Sequence, residues 1–155
     1  MDLSPTGFRV LFESEWMLCA SQPTPNGLQK ELRWEFVRDT KTLRRWEAEW
    51  ARDSAPTGLF LPALLRHPDV AILAGFAGHQ LIAGAILNRS ASAVGLSNVF
   101  SSADDLTEVY EGCVSAVTNH FPGLPIVGYE ADKALVAARA QGFRPIGRLV
   151  VWLKE

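Results

Sequence analysis

The spacing of apolar residues changes period several times along this chain, and each change predicts an element boundary. Leu32, Trp34 and Phe36 alternate with Arg33, Glu35 and Val37, the pattern of a half-buried strand. Asp39 or Thr40 then caps a helix running to about residue 53, with Leu43, Trp46 and Trp50 on its apolar side at spacings of three and four. Residues 54–58 end it, and a short helix over 59–66 stops before Pro68. A meander follows, with strands over 70–77, 81–87 and 94–100, a turn at Gly78-His79 and a polar loop over 88–93. Leu106, Val109, Tyr110, Cys113, Val114, Val117 and Phe121 mark one face of a long helix that Pro122-Gly123 closes. The apolar run 126–129 has the length of a buried strand. Residues 131–141 are dense in Ala, Leu, Arg and Lys without a breaker, Gly142 stands where a left-handed C-cap would end that helix, and Phe143 resumes an extended pattern. The first 31 residues read as two short strands, 8–12 and 16–20, around Glu13-Ser14-Glu15, followed by a Pro/Asn/Gly loop over 21–27.

This order predicts a single α+β domain over residues 1–155: a mixed, mostly antiparallel sheet flanked by helices, with 1–31 an added N-terminal element. Composition narrows the function. The chain is 48% hydrophobic and 21% charged with a formal net charge of -2, and no basic block exceeds Arg44-Arg45, so neither nucleic acid nor an anionic membrane is the expected partner. The apolar stretch 70–87 is interrupted by Gly75, Gly78, His79, Gln80 and Gly84, which argues against a membrane helix. Cys19 and Cys113 lie far apart without metal-ligand spacing and read as reduced thiols of a cytoplasmic protein; His67, His79 and His120 are scattered, so no metal is expected. Exposed strand edges and five Trp make a homodimer an expectation.

The element order over residues 32–152, together with the closing Gly142-Phe143 and Gly147 pattern, resembles the GNAT acetyltransferase superfamily. That resemblance implies acetyl-CoA bound in a V-shaped gap between the strands at 94–100 and 126–129, and a small-molecule amine as acceptor. It implies that backbone groups near Val99, Phe100, Ser101 and Ser102 hold the cofactor. The superfamily's glycine-rich turn, Gln/Arg-x-x-Gly-x-Gly/Ala, corresponds to Phe100-Ser101-Ser102-Ala103-Asp104-Asp105-Leu106, which has no glycine, Gln or Arg. Ser102 and Asp105 have capping-box spacing, and Asp104 and Asp105 would repel a pyrophosphate. The Asn that many members carry early in the last helix aligns with Ala131, and the Tyr that serves as their general acid aligns with Ala138.

Three residues remain as candidates for chemistry. Glu130, ending the strand beside the gap, is a general base if partial burial raises its pKa, and otherwise a solvated carboxylate capping the next helix. Tyr129 beside it is a ligand hydrogen-bonder or a core Tyr with its hydroxyl at the edge. Ser97 and Asn98 alternate to opposite faces, so one of them should face the covered side; Asn98 is the candidate, with an internal hydrogen bond as its other use. Trp46 and Trp50 read as core packing before pocket lining. The functional expectation is a GNAT-fold acyl-CoA-dependent N-acetyltransferase lacking the usual pyrophosphate turn. The alternative is a GNAT-like domain without CoA binding, acting as a small-ligand or protein-interaction module.

Overall fold

A computed structural model describes residues 2–20, 32–52, 54, 58–102 and 106–154. Asp39 opens the first helix, α1 (Thr40–Ala51), by accepting a hydrogen bond from the Thr42 N–H at 2.9 Å. The meander is β3 (Val70–Ala77), β4 (Gln80–Arg89) and β5 (Val94–Ser101), and Gly78 turns the first hairpin at φ 59°. Then come α2 (Thr107–His120), β6 (Ile126–Glu130), α3 (Asp132–Ala140) and β7 (Arg144–Lys154). Gly142, at φ 87°, and the Phe143 N–H donating to the Ala138 carbonyl end α3 as expected. The expected short helix before the meander is a single 3-10 element, Pro62–Arg66.

The N-terminal segment differs from the expectation. One continuous strand, β1 (Phe8–Cys19), replaces the two short ones. Glu13 and Glu15 do not break it, because Arg148 and Arg139 pair with them at 2.5 and 3.0 Å on a partly wet face. Register shifts near Leu11 and Ile146 absorb the remaining irregularity. With β2 (Arg33–Phe36) the strands form one sheet in the order β2-β3-β4-β5-β6-β1-β7. β1 is therefore hydrogen-bonded on both sides, antiparallel to β6 and to β7. The loop expected at 21–27 lies outside the described residues.

Alternation along β3 divides the core. Leu73 enters a cluster with α2 and α3, whereas Ile72, Ala74 and Phe76 enter a second cluster beneath α1. Two tryptophans lock these layers. Trp34 lies in a slot between Gly75 and Gly112, where a Cβ on either would come within 3.1 or 2.2 Å of the indole. Trp46 is fully buried, packs edge-on against Phe60 and Phe100, and donates its indole N–H to the Leu73 carbonyl at 2.7 Å. It is core, as its spacing suggested. Trp46→Phe should cost about 2 kcal/mol by chemical denaturation, because it strands a buried acceptor and leaves a small void. Among the described residues, no helix is long and apolar enough to cross a membrane.

Candidate active site

β5 and β6 run parallel but pair at only two positions, Val94 with Ile126 and Gly95 with Val127. Beyond them the strands part. At the fork a Cβ on Gly128 would meet the Leu96 carbonyl oxygen at 2.9 Å, so only glycine allows the backbones this close. Among the described residues, the β6-facing edge of β5 past this point has no strand partner.

The candidate residues distribute unevenly around the fork. Val99 is half-buried against the α2–α3 core, Phe100 is buried against Trp46, Ser101 is buried, and Ser102 is exposed. Arg52 donates to the Ser101 carbonyl, and the Ser102 N–H donates to the Ile82 carbonyl at 2.7 Å. The capping box read at Ser102 and Asp105 falls partly outside the described residues, and α2 starts at Leu106 as N-cap without a side-chain cap.

Asn98 does not face the covered side; Ser97 is half-buried, cross-strand from the core residue Ile86. Between the pairs Ile86–Ser97 and Gly84–Phe100, β5 carries one residue more than β4, a bulge that breaks strict alternation. Asn98 takes the extra turn at φ 53°, stands exposed, and donates its Nδ2 to Ser97 Oγ at 3.2 Å.

Alternation holds in β6 and separates its last two residues. Tyr129 lies on the α1 side of the sheet, where it is 41% exposed, stacks on Phe12 at 6.3 Å and meets Trp16 edge-on at 5.5 Å. Glu130 lies on the α2–α3 side, cross-strand from Glu15. It lines a cavity of about 480 Å³ that also includes Glu13, Glu15, Asp132, Leu135 and Arg148. α3 begins at Ala131 without a side-chain cap, so Glu130 is not spent on capping that helix. Arg148 and Arg139 are paired with Glu13 and Glu15, and no cation pairs with Glu130 among the described residues.

Burial raises the Glu130 carboxyl above the ordinary carboxylate range, while the Tyr110 hydroxyl beside it pulls in the opposite direction. Tyr110 is 0% exposed on α2, edge-on to Phe143 at 6.0 Å, and its phenol is raised chiefly by burial and then by the Glu130 charge. Burial pushes the Cys113 thiol up to about 12, with Glu130 adding to the effect. In the sequence Tyr110 reads only as part of the apolar face of α2. The signal that would have marked it is its hydroxyl, a polar tip in a row of Val and Cys. Ala138, where the superfamily's Tyr would stand, is buried in the core, and Ala131 is the N-cap of α3.

No protein-family model and no curated protein matches the chain. Solved structures do. A GCN5-related N-acetyltransferase from Kribbella flavida superposes with a TM-score of 0.67 at 12% identity, over 96% of this chain and 60% of its own. A GCN5-related N-acetyltransferase from Sphaerobacter thermophilus gives 0.67 at 11% identity, over 97% of this chain and 53% of its own. A functionally unknown conserved protein from Staphylococcus epidermidis gives 0.68 at 11% identity, over 94% and 62%. The fold of this chain is thus that of the GNAT N-acetyltransferases, and the chain spans about 60% of the length of the first of these structures. At this level of identity the likeness concerns the fold.

Proposed function

We propose that this domain transfers an acyl group from an acyl-CoA to a small-molecule amine, with Glu130 as general base. The observation that carries this reading is the position of Glu130: a half-buried carboxylate with raised proton affinity, unpaired with any cation among the described residues, at the end of β6 where β5 and β6 part. An ammonium becomes a nucleophile only after losing its proton. A carboxylate whose pKa has moved toward neutrality accepts that proton more readily than a solvated one. The carboxylates around it, Glu13, Glu15 and Asp132, favour a cationic acceptor over an anionic one.

The fork supports the cofactor half of the reading. The unpaired edge of β5 leaves backbone donors and acceptors for an extended amide-bearing arm, as strand addition requires. Val99 and Phe100 would hold that arm through the main chain, since the Phe100 side chain is committed to Trp46, whereas the Ser101 carbonyl and the Ser102 N–H are already bonded to Arg52 and Ile82. Bound there, an acyl-CoA supplies the acyl carbon as an activated thioester. Asn98, exposed at the bulge, and Tyr129, partly exposed on the other face of β6, would be the polar side chains to contact a ligand beside the gap.

One observation favours a second reading, a GNAT-fold module that binds a ligand or a protein without CoA. The stretch from Ser101 to Leu106 has no glycine and carries Asp104 and Asp105. Thermal unfolding in acetyl-CoA separates the two readings. At 100 times its dissociation constant the cofactor should add about 2.7 kcal/mol of stability. An unchanged unfolding temperature at millimolar acetyl-CoA would remove the first reading and leave the second.

A further inference from the structure

We propose that Tyr110 is a positioning residue for Glu130, its buried hydroxyl serving as the built-in donor that holds the carboxylate in its ionised form. The geometry leaves the hydroxyl no other occupation. Tyr110 is fully buried, and its oxygen has no partner of full hydrogen-bond geometry among the described residues. Such an orphan costs stability unless it serves something else. Phe143 closes one side of the ring edge-on, and the Glu130 carboxyl is within interaction range of the hydroxyl. A hydrogen bond from this hydroxyl to the Glu130 carboxylate would be charge-assisted, one of the stronger kinds.

The other groups around Glu130 make this donor the decisive one. From β1 come Glu15, directly cross-strand, and Glu13; from the start of α3 comes Asp132. None of these carboxylates can stabilise the ionised form of Glu130. Arg139 on α3 and Arg148 on β7 are the nearby cations, and each is bonded to another glutamate. Cys113, on the same helix as Tyr110, is a thiol that burial keeps protonated. Burial therefore pushes Glu130 toward its protonated form, and the phenol counters it. The superfamily's phenol would come from the Ala138 position of α3; here a phenol reaches the same core from α2, directed at the base.

The inference takes its functional meaning from the proposed role of Glu130, but its test does not depend on turnover. Tyr110→Phe keeps the ring against Phe143 and removes the oxygen alone. The Glu130 carboxyl carbon, followed by NMR as pH is raised, should titrate at a higher pH in Tyr110→Phe than in the parent. An unchanged or lower midpoint would overturn the inference. A double-mutant cycle of Tyr110→Phe with Glu130→Gln gives a second readout: the two should couple in unfolding free energy at pH 8 and lose that coupling at pH 3.5. Additivity at both pH values would also overturn it. Failure of acetyl-CoA to bind would remove the proposed reaction and leave the pairing standing, whereas an unmoved Glu130 midpoint removes the pairing whatever the cofactor result.

Discussion

Glu130→Gln should lower acyl transfer at pH 7 by on the order of 10²–10⁴-fold, the usual contribution of a positioned base. The same variant should unfold at a higher temperature than the parent at that pH. Both outcomes follow from one cause. The ordinary value of such a carboxyl is 4.5, and folding raises it, mainly through burial. Below the unfolded value the group is protonated in both states and its burial costs little. As the pH rises through the higher folded-state value, the folded protein must carry a half-buried charge, and the stability present at low pH is lost. Glutamine cannot ionise and escapes that loss. The stability difference between variant and parent should therefore be small near pH 4 and widen toward neutrality, while parental activity rises over the same interval. Two results would sink the role: full activity in Glu130→Gln, or a stability difference that does not grow with pH. A base that weakens the fold that holds it is the usual relation between activity and stability at catalytic sites.

Gly84→Ala should destabilise the protein by about 3 kcal/mol, at the upper end of what overpacking costs. The direction is opposite to propensity, since alanine in a strand interior normally improves on glycine by roughly 0.5–1 kcal/mol. The Cβ would lie 2.2 Å from Trp46 Nε1 and 2.6 Å from Phe100 Cε1. Neither ring can yield, because Trp46 is held by its hydrogen bond to Leu73 and both rings are buried. Phe100 belongs to β5, the strand that borders the fork, so the strain should reach the site and weaken acetyl-CoA binding as well. Urea denaturation and a cofactor titration on the same sample check both effects. A variant as stable as the parent would mean that the two rings move more freely than their packing implies.

Much of this fold was legible in the residues. The capped start of α1, the Gly78 turn, the apolar face of α2 and the Gly142 stop all depend on interactions within a few positions of one another, which local spacing reports. Glu13 and Glu15 misled because charges in an apolar run usually end a strand. The arginines that pair with them stand on α3 and β7, more than a hundred residues later, so local pattern could not include them. Asn98 misled because alternation assumes an unbroken ladder, and a bulge is decided by the register of the partner strand. Glu130 was singled out from its place at a strand end, but its burial, its distance from helix-capping duty and its phenol neighbour depend on what packs around it.

The chain by itself determined its elements, their order and hence the α+β class, because propensity, period and capping act over short separations. It also determined that residues 101–106 contain no glycine and that positions 131 and 138 are alanine. Tertiary structure alone decided that β1 enters the sheet between β6 and β7, that β5 and β6 part after two paired residues, and that Tyr110 lies beneath Glu130. Each is a long-range contact, settled by which surfaces bury together and by which buried polar groups find a partner, and the proton affinity of the site follows from those contacts.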